Sequence, residues 1–353
     1  MQFNSYMVRI SWISVARAIS VVSIIIFHIY MGKLRYLFYE GTNVFFAISG
    51  YVIAKSLIRK NFIPGVAWWA WWQRRLLRLY PLWLIVLLIA FIAYIFNITW
   101  IHLSVRPINT FVDFVLHAFM LHVYSSSTYY SINIAWWFQG IIMQCYLLTP
   151  LFYCLVRSRA SGVSLILIGW GTYAVANVLL RGIPQSSDLL FMYLGQATFG
   201  WLWYLIGMIY AARESGTIFT SSKNLKLTLP LLIACILYVV CFHYILAEFE
   251  TIGSRTFVFG AIKSISIVYI IITISQWLTE FFDSKKIVKY IPSSLAWFGS
   301  CSYAAYLTHM FFIPILALPL PWLLRIAVYF STVLLASYVL TLTENRLKLF
   351  LEK

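Results

Sequence analysis

Ten apolar stretches, most of them long enough to cross a membrane as a helix, recur along this chain and narrow what it can fold into. They fall at roughly 10–30, 42–58, 80–96, 136–156, 163–180, 191–212, 228–247, 257–278, 297–318 and 322–343. A spanning helix needs about 20 predominantly apolar residues, and in lipid a helix satisfies its own backbone hydrogen bonds. The second and third stretches are short, and 113–123 reads as a further, interfacial segment. Of the 353 residues, 62% are hydrophobic and 10% charged. A water-soluble domain has about 25% charged residues, so a soluble fold is excluded. The expectation is an all-α integral membrane protein: a bundle of about ten transmembrane helices forming one domain over 1–353, with no appended soluble domain.

The cations orient this bundle. With the N-terminus in the cytoplasm, seventeen of the twenty-two Lys and Arg residues outside the apolar stretches fall on the cytoplasmic side. That bias satisfies the positive-inside rule and places both termini in the cytoplasm. The formal charge of +16 is then a topology signal, with attraction to anionic membrane lipids, and gives no reason to expect a nucleic-acid partner. No small-residue cleavage pattern follows the first stretch, which reads as an uncleaved signal anchor. The five cysteines (Cys145, Cys154, Cys235, Cys241, Cys301) sit in or beside apolar stretches, without metal-ligand or disulfide spacing. No metal is expected.

Against this background the polar residues inside the stretches carry the functional information. Arg17 and His28 lie eleven residues apart in the first stretch. Eleven helical steps come to three turns plus about 20°, so the two share a face, about 16 Å apart along the axis. Ionisable groups inside a span are expensive and point to function; the alternative is a snorkelling Arg and a His satisfied by a backbone carbonyl. In EGTNVFFAISGYVI (40–53), Ser49 and Gly50 allow either close helix packing or a broken helix with freed amides. In AWWAWWQRRLLRLYPLW (67–83), Arg75 and Arg78 share a helix face and are suited to gripping phosphates or anchoring at lipid headgroups. The span at 135–151 carries Trp137, Gln139 and Gln144 but no carboxylate. In GSCSYAAYLTHM (299–310), Tyr303, Tyr306 and His309 recur at three-residue steps and line one stripe.

Taken in this order, these segments resemble the acyltransferase-3 family of membrane-bound acyltransferases, which modify surface glycans and other acceptors. The Arg, ten residues, His spacing matches that family's first-span signature. Gly41, Val44-Phe45-Phe46 and Ser49-Gly50-Tyr51 resemble its glycine, V-x-FF, SGY segment; Arg74, Arg75, Arg78 and Pro81 its RRxxRxxP segment. Ser302, Tyr303, Tyr306, Leu307 and His309 match its SYxxYLxH segment, and Glu344 stands where a closing Glu is usual. The resemblance runs from residue 9 to about 346. There are departures. Ser14 replaces an acidic residue often found just before the Arg, and Asn43 replaces a common glycine. The segment after Trp137 carries Ile142 and Met143 where many members carry Glu. Glu40 is a candidate to fill that carboxylate's role.

The resemblance implies transfer of an acyl group, acetyl above all, from cytoplasmic acetyl-CoA to a hydroxyl of an envelope polysaccharide or lipid-linked sugar. It implies a multi-pass protein of the bacterial inner membrane, with the acyl group going directly to the sugar or to a separate accepting partner. His28 would act as general base or as covalent relay; the sequence leaves both open. Arg17, Arg75 and Arg78 would hold the donor's phosphates, and Ser49, Tyr303 or freed amides near Gly50 would bind the oxyanion. Glu40, Tyr303, His309 and Trp137 would support substrate or structure. The competing readings are a transporter or flippase of an anionic or lipid-linked substrate, relaying protons through His28 and His309, and a glycan polymerase.

Overall fold

The computed structural model describes residues 12–30, 35, 38–60, 68–98, 101, 110–157, 197–215, 254–284 and 290–351, with positions 233, 236, 237 and 240. No strand occurs among the described residues. The helices are α1 (Trp12–Ile29), α2 (Gly41–Arg59), α3 (Trp68–Ile95), α4 (Thr110–Ala118), α5 (Ser126–Tyr129), α6 (Trp137–Arg157), α7 (Ala197–Glu214), α8 (Ser254–Ser284), α9 (Tyr290–Ser300), α10 (Ser302–Thr308) and α11 (Trp322–Leu351). Two 3-10 segments, His122–Tyr124 and His309–Ala317, complete the set.

Six described helices are long and apolar enough to cross a membrane: α1, α2, α3, α6, α8 and α11. The helix broken at Cys301 makes a seventh if its two pieces are counted as one span. The expected stretch at 163–180 lies outside the described residues, as does 228–247 apart from the four isolated positions, and the described part of 191–212, α7, is not among the helices long and apolar enough to cross, so a total of ten is not reached on the described part. One expectation changes in detail. α3 begins at Trp68, twelve residues before the apolar run, so the arginines at 74–78 stand on a helix continuous with the span. The segment at 113–123, expected as interfacial, holds α4, of nine residues, followed by one 3-10 turn.

The chain divides into two compact units. The first comprises residues 1–45 and 222–303, in which α1 packs against α8 and α9. α9 comes close to α1 at Gly299, where a Cβ would lie 1.9 Å from the Ser14 carbonyl oxygen. Two serines of α1 are satisfied within the helix: the Ser20 hydroxyl donates to the Ala16 carbonyl at 2.7 Å and that of Ser23 to Ile19 at 2.9 Å. Such bonds to the fourth residue back let hydroxyls enter lipid at low cost.

The second unit comprises residues 46–221 and 304–353. Here α6 packs on α7, α3 contacts α4, α6 and α11, and α11 lies along the 3-10 segment His309–Ala317. α2 and α7 cross through a reciprocal pair of glycines. A Cβ on Gly50 would come 1.9 Å from the Tyr204 carbonyl oxygen, and one on Gly207 1.9 Å from that of Ala47. At the far end of this crossing, Glu214 accepts the Tyr51 hydroxyl at 2.5 Å and faces the Lys55 ammonium at 3.0 Å.

Candidate functional site

His28 stands in the last turn of α1, half-buried. Its Nδ1 lies 2.8 Å from the Ile24 carbonyl oxygen. A carbonyl only accepts, so in the neutral ring Nδ1 carries the proton and Nε2 the lone pair. That is the form a base or nucleophile needs. Phe27 meets the His28 ring edge-on at 5.0 Å.

Between Arg17 and His28 the shared face of α1 is covered. A Cβ on Gly41 would come 2.5 Å from the Ser20 carbonyl oxygen and 2.8 Å from Ile24, and Ile24 lies on the stripe joining Arg17 to His28. The start of α2 therefore seats midway along that stripe, and only a residue without a side chain fits there. Glu40, just before it, is 2% exposed. Its Oε1 lies 2.9 Å from Lys263 Nζ of α8, and its Oε2 accepts the Asn43 amide. The departure at 43 thus has a physical use: a glycine would leave Oε2 without that donor. The partners described for Glu40 tie α2 to α8 and do not include His28.

In the second unit, Arg75 is half-buried and Arg74 and Arg78 are exposed. The Arg75 guanidinium stacks over Trp71 at 5.4 Å, one turn earlier on α3. Tyr146 and Tyr204 are its polar neighbours. Trp137 opens α6, with its ring 6.4 Å from Phe46. The possibility of freed amides at Gly50 is not realised. α2 is continuous from Gly41 to Arg59, and Gly50 serves the close crossing with α7. Ser49 is half-buried on the same unbroken helix.

The break comes instead at Cys301, between α9 and α10. Tyr306 and His309 fall in the second unit and are buried, whereas Tyr303 belongs to the first and is half-exposed. His309 Nδ1 donates to the Tyr306 carbonyl at 2.7 Å, and the Tyr329 hydroxyl of α11 donates to the His309 carbonyl at 3.0 Å. The Tyr306 hydroxyl donates to the Ala135 carbonyl. Trp136 Nε1 returns a bond to the Leu307 carbonyl at 3.0 Å. In this unit the SYxxYLxH segment is held from both sides.

Sequence reasoning missed the group behind that latch. His117 and His122 stack face to face, centroids 4.0 Å apart and 11° from parallel, both fully buried beside Trp83. His117 Nδ1 donates to the Asp113 carbonyl at 2.7 Å, and His122 Nε2 donates to Trp136 at 3.1 Å. Burial lowers the His117 pKa to about 4 and holds that of His122 well below the ordinary histidine value, so both are neutral at pH 7. A spacing of five residues across a helix end gives no periodic signal, so only the fold reveals the pair. Among the described residues no three His, Cys, Asp or Glu side chains converge to hold a metal ion.

A family model described as an acyltransferase domain matches residues 10–342. No curated protein and no solved structure matches. The family match spans nearly the whole chain, from the start of α1 into α11, and takes in every segment just described. The chain belongs to the acyltransferase-3 family.

Proposed function

We propose that this protein transfers an acetyl group from acetyl-CoA to a hydroxyl of an envelope glycan or lipid-linked sugar, with His28 at the centre of the reaction. The observation that carries this reading is the His28 tautomer. The Ile24 carbonyl holds the proton on Nδ1, which puts the lone pair of the neutral ring on Nε2. As general base, Nε2 takes the proton from the acceptor hydroxyl while its oxygen attacks the thioester carbonyl. The tetrahedral oxyanion then collapses, the C–S bond breaks, and the imidazolium returns the proton to the leaving thiolate. As covalent relay, Nε2 attacks the thioester carbonyl first, the C–S bond breaks and the thiolate leaves; the hydroxyl oxygen then attacks the acetyl-imidazole, the C–N bond breaks back onto Nε2, and the hydroxyl proton ends on the thiolate.

Arg17, on the same helix, is assigned to the donor's phosphates, with the flexible thioester arm spanning the remaining distance to His28. For Arg75 and Arg78 the same role is proposed from their spacing on α3. The test is acetyl transfer from labelled acetyl-CoA by membranes containing wild type or His28→Ala at equal expression. Loss of about 10²- to 10⁴-fold is expected. Wild-type transfer by a well-inserted His28→Ala protein overturns the assignment. Label trapped on the His28 peptide without acceptor distinguishes the relay from the base.

A further inference from the structure

Tyr204, on α7 of the second unit, lies in none of the segments that carry the family pattern, yet three of those segments meet it. Its backbone forms the crossing with α2, where a Cβ on Gly50 would lie 1.9 Å from the Tyr204 carbonyl oxygen. Its hydroxyl lies 2.7 Å from Thr149 Oγ1 on α6. Its third neighbour is Arg75 of α3. Tyr204 and Thr149 are both fully buried.

The direction of the bond to Thr149 follows from counting protons. Thr149 Oγ1 also lies 2.8 Å from the Cys145 carbonyl oxygen. A threonine hydroxyl has one proton and a carbonyl only accepts, so that proton goes to Cys145. The Tyr204 hydroxyl therefore donates to Thr149, and its oxygen offers only lone pairs to any other neighbour. That is the polarity a nearby cation favours. A phenol proton turned toward the cation would repel it.

The Arg75 guanidinium stacks over Trp71 at 5.4 Å, and the Trp71 ring meets Tyr146 edge-on at 6.5 Å. Stacking sets the plane of the guanidinium but not its rotation within that plane. An acceptor at one edge sets the rotation, which leaves the remaining N–H groups aligned for two parallel bonds to a phosphate. The titratable neighbours of Arg75 are Tyr146, Tyr204, Arg74 and Arg78, and none of these is an acid. A carboxylate would orient the guanidinium and also neutralise it. A neutral phenol oxygen orients it and leaves the charge for the ligand.

We propose that Tyr204, its proton held by Thr149, is a positioning residue that orients the Arg75 guanidinium for a phosphate of the acyl donor. This rests on the donor role given to Arg75 above. The test reads binding alone, so the chemistry at His28 does not enter. Acetyl-CoA affinity is measured by calorimetric titration of the purified full-length protein in nanodiscs of neutral lipid, at fixed ionic strength. The proteins compared are wild type, Tyr204→Phe, Arg75→Gln and the double variant.

Tyr204→Phe keeps the ring and the backbone crossing and removes only the oxygen. It should weaken binding about ten-fold, as for one hydrogen bond to a charged group. In the Arg75→Gln background the same change should have almost no effect, because no guanidinium is left to orient. A general loosening of the fold would not produce that non-additivity. Thr149→Val, which releases the Tyr204 proton, should reproduce the loss, and Thr149→Ser should keep wild-type affinity. That pair carries the test if Tyr204→Phe does not fold. Weakened binding in Arg75→Gln with unchanged binding in Tyr204→Phe overturns the proposal, and so do equal losses in the two backgrounds. Unchanged binding in Arg75→Gln overturns the donor role of Arg75 and the proposal with it, so the two failures are told apart.

Discussion

Glu40 shows what a single charge costs inside this protein. Its carboxylate and the Lys263 ammonium are 3% and 8% exposed, so each charge depends on the other where water does not reach. Breaking such a pair is far more damaging than never having had it, because one charge is left buried. Glu40→Gln should destabilise the first unit by up to about 3–5 kcal/mol. Glu40→Gln with Lys263→Met should recover much of that loss. Thermal unfolding of the purified protein measures both, and equal melting of the two variants would show that no charge is stranded. The residue attracts notice in sequence as an acid at the head of a glycine-rich segment. Its partner does not, because Lys263 is distant along the chain and reads there as an isolated cation in a span.

At the scale of elements, α4 and the turns after it form a buried polar knot that depends on neutral histidines. Both His117 and His122 are held below the ordinary histidine value of about 6.5 by burial, His117 at about 4. Between those values the unfolded chain takes up protons that the folded knot refuses, so folding weakens as pH falls. The melting temperature should drop progressively from pH 6.5 to about 4, and a His117→Gln, His122→Gln double variant should show a shallower dependence. An unchanged slope in that variant would place the proton uptake elsewhere. Because His122 bonds to the carbonyl of Trp136, whose indole holds Leu307 and whose neighbour Ala135 holds Tyr306, loosening the knot is expected to release the SYxxYLxH segment along with it.

For the whole molecule, orientation rests on the distribution of cations. Reporter fusions at Lys353 and near Ser126 should report cytoplasmic and external locations respectively, and an external Lys353 would reverse the sides given to donor and acceptor. Helical membrane character was readable without coordinates, because apolar length and the 3.6-residue period are local properties. The shared face of Arg17 and His28 was readable for the same reason. Family segments were readable because their spacing survives in the chain itself. The fold had to settle which alternative each glycine and polar group took. Gly50 became a helix crossing because Tyr204 of α7 lies against it, while the break fell at Cys301. Gly41 became the plug between Arg17 and His28, Glu40 found Lys263, and Arg35 reached Phe27. The His117–His122 stack formed where a helix end brings two rings together. Composition and period govern how one segment meets lipid or water. Which buried polar group meets which partner depends on chain segments arriving in space from far apart in sequence, and no local pattern encodes that.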